Sequence, residues 1–387
     1  MKITAIKSFV VNARLRNWIF VRVETDTPGL FGLGEATLEF QTRAVVGAID
    51  DLALLIMGEE PRNIERLWQI MYRHTFFKGG IVTMSALAGI DQALHDLKAK
   101  SLSVPLWQLL GGLCRERLRM YDHLGGGEIS SVYERATASS FAEKAARSKA
   151  AGFSAVKILA VGKTAPLDGH AALKSAEALM AAARQGAGDE MDIMVDLHGR
   201  TSAAMAIQYA RVLEPYRPFF VEEPCQPEDW EGTARVARST PIPIAAGERL
   251  SHRREFLPLL QSGAIAVAQP DVCHAGGLTE IRRISALCDT FGVSMAPHNP
   301  LGPIATMVNI HLGFATPNFL IQEVMRADVP WRDEIVSGVA PIVGGYVEPG
   351  EAPGIGVEID ETAAARHPFK EARPIQWFHH DGGVADW

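Results

Sequence analysis

Six acidic or histidine residues recur along this chain at nearly the same interval. Asp196, Glu222, Glu248, Asp271, His298 and Glu323 are separated by 26, 26, 23, 27 and 25 residues. Each ends a strand-like run, such as Ile-Met-Val before Asp196, Phe-Phe-Val before Glu222 and Met-Ala-Pro before His298. An interval of this length holds one strand, one crossover helix and two short connections. Side chains repeating with that period stand at the same end of successive parallel strands. In a closed barrel that end is the C-terminal mouth, where active sites are built. Asp196 or Glu248 alone would read as a helix N-cap at a strand-to-helix turn. A cap has no reason to keep the period of the fold, so capping does not explain the set.

The surrounding sequence supplies the barrel. Short apolar runs lie at Leu118–Tyr121, Ala155–Leu159, Asp192–Val195, Phe219–Val221, Ile244–Ala246, Ala266–Ala268, Ser294–Ala296 and Phe319–Gln322. Amphipathic segments such as Phe141–Ala151, His170–Arg184, Ala203–Glu214 and Thr279–Phe291 alternate with them, as in repeated βα units. Before them, residues 1 to about 40 read as a strand meander with a Trp18–Glu24/Gly29–Glu35 hairpin, and Gly32 and Gly34 read as its turn. Helical texture follows from Ala44 to Gly112, including Ser85–Lys100. The expected architecture is therefore α/β: an α+β capping domain at 1–115 and a modified (β/α)8 barrel at 116–330. A C-terminal segment at 331–387 is expected to pack back on the cap. Cap loops near Arg14–Trp18 and Thr75–Gly80 are expected to close over the mouth.

Bulk properties limit the partners. The 387 residues carry a formal charge of −7 and no Lys/Arg run, which argues against nucleic acid. No apolar stretch approaches the roughly 20 residues that span a bilayer, and the first residues lack a signal-peptide core. Cys114, Cys225, Cys273 and Cys288 are widely spaced, which suggests neither a disulfide framework nor a zinc site. A cytoplasmic enzyme is expected, with no membrane partner and assembled as a homo-oligomer.

The chemistry follows from the residue types. Asp196, Glu222 and Glu248 are hard oxygen ligands on neighbouring strands, suited to Mg2+. Their charges repel at close range unless a cation lies between them. A magnesium-bound substrate carboxylate would have its α-proton acidified. His298 is the candidate base, because imidazole titrates near neutral pH. Asp271, one strand earlier, can accept from the other ring nitrogen, and a protonated Glu323 could donate to the enediolate. Lys157 reads equally as an electrostatic partner in the mouth and as a structural ion pair. His123 and Cys225 line the pocket or pack behind it, Asp91, His95 and Asp96 form a solvated or interface face, and His379 and His380 lie on the surface.

Longer motifs surround these residues. They include Ser85-Ala86-Leu87-Ala88-Gly89-Ile90-Asp91-Gln92-Ala93-Leu94, Asp196-Leu197-His198-Gly199-Arg200 and Val221-Glu222-Glu223-Pro224. Further along stand Ala245-Ala246-Gly247-Glu248-Arg249, Gln269-Pro270-Asp271, His274-Ala275-Gly276-Gly277, Ala296-Pro297-His298 and the ending Val384-Ala385-Asp386-Trp387. Through them the whole chain resembles the mandelate-racemase branch of the enolase superfamily, and within it the galactonate dehydratases. The resemblance implies magnesium held by Asp196, Glu222 and Glu248, a base dyad of His298 and Asp271, and Glu323 as transition-state donor. It also implies His198 as general acid for a leaving hydroxyl, and a sugar-acid substrate that loses water to give a 2-keto-3-deoxy acid.

Two departures matter. Racemases of this branch carry Lys-x-Lys at the second barrel strand, whereas Lys157-Ile158-Leu159 keeps only the first lysine. A racemase needs a base on each face of the α-carbon, so elimination is favoured over racemisation or epimerisation. The galactonate dehydratases also carry a polar residue where Leu159 stands and an aromatic near His123, so the preferred substrate is expected to differ from galactonate.

Overall fold

The chain opens as an antiparallel meander of β1 (Ile3–Ala13), β2 (Arg16–Thr25) and β3 (Phe31–Glu35). The computed structural model describes residues 1–74, 76–125, 137–326, 328–371, 374, 376–379 and 381–386. Thr75 in the second cap loop, His380 and Trp387 lie outside the described residues. Helices α1 (Thr42–Ile56), α2 (Ile64–Arg73) and α3 (Gly80–Ser101) cover one face of the meander, and α4 (Leu106–Leu109) leads to the barrel. Trp18, Ile19, Phe20 and Val21 are fully buried in succession on β2. Both faces of this strand are therefore covered, and the alternation of a half-exposed strand is absent.

Gly32 and Gly34 do not form a turn. They lie within β3, where a Cβ would stand 1.9 Å from Ala93 O and 2.1 Å from Gly89 O respectively. Glycine is needed there because α3 packs its backbone directly on the strand. Residues Met84–Leu97 of α3 are buried on every side. Asp91 and Asp96 are therefore interface groups and not solvated ones. Asp91 accepts from Thr279 N–H and Oγ1–H, and Asp96 from Leu33 and Ile355 N–H. These bonds satisfy carboxylates whose burial would otherwise be costly.

The barrel strands are β4 (Leu118–His123), β5 (Ala155–Ile158), β6 (Asp192–Asp196), β7 (Val221–Glu222), β8 (Ile244–Ala246), β9 (Val267–Ala268), β10 (Ser294–Met295) and β11 (Gln322–Val324). All adjacent pairs from β4 to β10 are parallel, and β11 pairs parallel with β4. A parallel bridge from Met295 to Phe319 joins β10 to the segment entering β11 and closes the ring. The lumen is filled by Tyr121, Ala155, Met194, Phe220, Ala245, Val267, Ala296 and Ile321, one side chain from each strand or its flank. This is a packed floor with no pore, and the chemistry stands above it.

Crossover helices are α5 (Ala138–Ala150), α6 (His170–Ala187), α7 (Ala203–Leu213), α8 (Trp230–Ala237), α9 (Arg253–Gln261), α10 (Gly277–Thr290) and α11 (Pro303–Ala315). Ser202 caps α7 by accepting Met205 N–H, and the His252/Glu255 capping box starts α9. Both caps satisfy N–H groups that a helix leaves open at its start.

The C-terminal segment touches both units. Its strand Tyr346–Val347 pairs antiparallel with Arg119 and Leu118 at the start of β4. Along the cap, Asn12 N–H donates to His367 O at 2.8 Å and Trp331 Nε1–H to Asn12 O at 3.0 Å. No described helix is long and apolar enough to cross a membrane.

Candidate active site

Asp196 closes β6, Glu222 closes β7, and Glu248 follows β8 by two residues. A carboxylate oxygen of each lies within 4.8 Å of the other two, and all three side chains are buried. Burial and the neighbouring carboxylates push Glu222 up to about 7 and Glu248 well above the ordinary range. Asp196, although burial acts the other way, is held low mainly by Lys157. Glu248 Oε2 is buried and accepts no hydrogen bond among the described residues. Three convergent hard oxygens whose charge Lys157 offsets only in part form a fitting nest for a divalent cation, with magnesium matching the donor set.

Across the mouth, His298 Nδ1 stands 2.7 Å from Asp271 Oδ2. Cys273 N–H donates to Asp271 Oδ1 at 2.6 Å, which fixes the carboxylate plane. Asp271 accepts the hydrogen bond from Nδ1–H, so the neutral form of the ring carries its lone pair on Nε2. Nε2 lies 3.5 Å from Glu248 Oε2. Burial alone would lower the pKa of His298, but Glu248, Asp271 and Glu323 outweigh it and hold it up to about 10.

Lys157, on β5, is buried between two acids. Its Nζ lies 2.8 Å from both Glu222 Oε1 and Glu323 Oε1, and 3.9 Å from Asp196 Oδ2. Glu323 also accepts Asn299 N–H at 2.7 Å. Burial would raise its pKa, yet Lys157 and His298 hold it down at about 2. In this arrangement Glu323 pairs with Lys157 and accepts a hydrogen bond from Asn299 N–H.

His198 sits in a left-handed turn at φ +57°, and its N–H donates to Asp196 Oδ1 at 2.7 Å. This conformation is uncommon for a non-glycine residue and sets the ring beside the metal-ligand trio. Burial holds the ring neutral, with a pKa of about 3. His123 ends β4, accepts Gly125 N–H at 2.9 Å and is held down to about 4 by burial and Lys157.

His123, Lys157, Asp196, His198, Glu248 and His298 share the lining of one cavity of about 300 Å³, roofed from the cap by Leu15, Arg16, Leu38, Glu39 and Phe40. The first cap loop thus reaches the mouth, and from the second loop Ile81, just past its end, joins the lining. Cys225 is buried outside the lining. A larger cleft near 940 Å³, between α2, α3 and α10, holds none of these groups.

Sequence reasoning gave no role to His274, Glu35 or Arg249. The His274 ring lies 3.3 Å from Glu248 O and 3.2 Å from Thr37 O, bridging rim and cap. Glu35 accepts from Gly302 and Ala305 N–H beyond His298. Arg249, next in chain to Glu248, pairs with Glu223 at 2.5 Å. His274 and Arg249 lie inside the motifs quoted above, which was the available signal.

Comparison with known proteins agrees with this geometry. Residues 6–111 match the mandelate racemase / muconate lactonizing enzyme N-terminal domain, and residues 140–363 match the family described as enolase C-terminal domain-like. The D-galactonate dehydratase of Ralstonia nicotianae is 40% identical over 396 residues, covering 100% of both chains. That of Cronobacter sakazakii is 39% identical over 395 residues, again with 100% of both covered. A solved enolase from Agrobacterium radiobacter, with bound sodium and L-malate, superposes with a TM-score of 0.90 at 30% identity over 100% of both chains. Magnesium is the cofactor of such enzymes, and the Asp196/Glu222/Glu248 trio could hold it. On its barrel, its carboxylate trio and these full-length matches, the chain belongs to the mandelate racemase / muconate lactonizing enzyme family of the enolase superfamily.

Proposed function

We propose that this enzyme is a hydro-lyase that dehydrates a sugar acid, an aldonic acid of the galactonate kind, to its 2-keto-3-deoxy product. The observation that carries the reading is the convergence of the carboxylate trio and the His298–Asp271 pair at one 300 Å³ cavity, with His298 Nε2 3.5 Å from Glu248 Oε2. The full-length likeness to D-galactonate dehydratases supports it.

Asp196, Glu222 and Glu248 would hold the magnesium, which when bound supplies positive charge to the substrate carboxylate and to the enediolate. In the neutral ring, His298 Nε2 accepts the α-proton. That state is favoured when a cation at the trio offsets the charge of Glu248, which otherwise holds the ring protonated. Asp271 orients the ring and stabilises its cationic form. Lys157 balances the charge of Glu222 and Glu323 beneath the substrate. His198 then donates a proton to the departing 3-hydroxyl. That role requires the ring to gain a proton that burial withholds in the free enzyme, and an anionic substrate beside it shifts the balance in that direction.

A racemase or epimerase is disfavoured, because Lys157 is locked between two carboxylates and Leu159 offers no second base. The same reading divides the chain into a cap at 1–115, a catalytic barrel at 116–330 and a closing segment at 331–387. A cytoplasmic homo-oligomer belongs to the same reading, and exposed Leu54, Phe76 and Phe77 support the self-association.

The test is a panel of aldonic and aldaric acids with magnesium, scored for 2-keto-3-deoxy product. Absence of product from every member overturns the reading.

A further inference from the structure

The cavity has a polar side and an apolar side. The metal-ligand and base residues occupy the barrel rim. Facing them, Leu15, Leu38, Phe40 and Ile81 from the cap meet Leu159 and Met325 from the rim. Phe40 holds φ +60°, a costly conformation for a bulky side chain. Such strain persists where surrounding structure fixes a residue for a purpose.

The polar groups of the cap side are largely committed. Arg16 is nearly fully buried, donates to Pro300 O, and pairs with Glu39 Oε1 at 2.7 Å. Its charge is neutralised, so it offers no free cation for a second carboxylate, and Glu39 would repel one. The remaining Glu39 oxygen can accept from one hydroxyl. At the barrel rim, His274 is held between two backbone carbonyls, and His123 accepts Gly125 N–H through Nδ1.

Resting on the dehydratase reading, we infer that the substrate is a monocarboxylic sugar acid whose remote end is a methyl group, a 6-deoxyaldonic acid. Beyond the reach of Glu39, a hydroxyl set against Leu15, Leu38, Phe40, Ile81, Leu159 and Met325 would lose its water and meet carbon among the described residues, whereas a methyl is matched to that wall. A diacid would bring a second charge to a cavity whose described arginines, Arg16 and Arg249, are already paired with Glu39 and Glu223.

The test compares kcat/KM for three acids of shared stereochemistry at the middle carbons: a hexonate, its 6-deoxy analogue and the corresponding hexarate. The wild-type enzyme with magnesium is expected to favour the 6-deoxy acid over the hexonate by roughly 10- to 100-fold, the range a hydrophobic pocket achieves against an added hydroxyl. The hexarate is expected to show no turnover. Leu159→Asn should narrow the first ratio to below about threefold. A hexonate that equals or exceeds its 6-deoxy analogue, or a preferred hexarate, overturns the inference and leaves the dehydratase reading standing. If no acid loses water or exchanges its α-proton with deuterated solvent, the dehydratase reading itself fails, and the inference fails with it.

Discussion

The carboxylate of Glu35, on the third strand of the cap, accepts the backbone N–H of Gly302 at 2.8 Å. Its other oxygen accepts Ala305 N–H at 2.8 Å, so a cap residue closes the open N-terminus of the helix that follows His298. Removing it would leave buried N–H groups unpaired at about 1–3 kcal/mol each. Glu35→Ala is therefore expected to lower stability by about 2–5 kcal/mol in urea unfolding. It should also reduce kcat more than it raises KM, because the base loses its fixed position. Unchanged urea midpoints would show that the cap does not hold the rim.

The ligand trio gives the second prediction. Glu222→Gln keeps the shape of the side chain and removes a hard anionic ligand. Magnesium affinity measured by calorimetry should fall at least about tenfold while far-UV circular dichroism stays unchanged. Activity should be lost, and EDTA treatment of the wild type should abolish it reversibly. A variant that remains active in EDTA would mean that the trio is not the metal site.

The third prediction separates His298 from His198. His298→Asn is expected to lose both dehydration and exchange of the α-proton with deuterated water. His198→Asn should lose dehydration by about 10²–10⁴-fold, yet keep exchange, because His298 can still take and return the α-proton. A 3-substituted substrate with a better leaving group should rescue His198→Asn alone. Rescue of His298→Asn instead would reverse the two roles.

Much of this site was legible in the chain because the spacing of Asp196, Glu222, Glu248, Asp271, His298 and Glu323 is the length of the repeating unit itself. What could not be read depends on distance in sequence. Glu35 and Gly302 are 267 residues apart, and no local pattern announces that they meet. Lys157 stood undecided between mouth and ion pair, and the fold makes it both, since β5 turns it under Glu222 and Glu323. Gly32 and Gly34 misled for the opposite reason. Their local meaning is a turn, and only the approach of α3 to the strand reveals the other demand for a missing side chain. Asp91 and Asp96 look like a polar helix face until the barrel and the C-terminal segment cover them.

A pH effect on folding follows from His311, far from the metal ligands. Its ring accepts Trp107 N–H at 3.2 Å through Nδ1 and lies 3.3 Å from Ile355 O through Nε2, so the neutral tautomer satisfies both. Burial lowers its pKa from 6.5 to about 4. Above pH 6.5 neither the folded nor the unfolded ring is protonated, and stability is unaffected. Between 6.5 and about 4 the unfolded ring takes up a proton and the folded ring does not, so stability declines as pH falls and then levels. The full loss from this residue is about 3 kcal/mol. His311→Gln should flatten that part of the pH–stability curve, measured by urea midpoints. An equally steep decline in the variant would assign the effect to other groups.

The pairing of the first barrel strand with the last has a consequence for the growing polypeptide. Met120 in β4 lies opposite Gln322 in β11, a separation of 202 residues. While the intervening chain is being made, one edge of β4 has no permanent neighbour. Strands that wait in this way are open to pairing with other chains. Tyr346 and Val347, which pair with Arg119 and Leu118, arrive later still. Chains stalled before residue 322 should therefore depend on chaperones and aggregate when released, and completion of β11 should end that dependence.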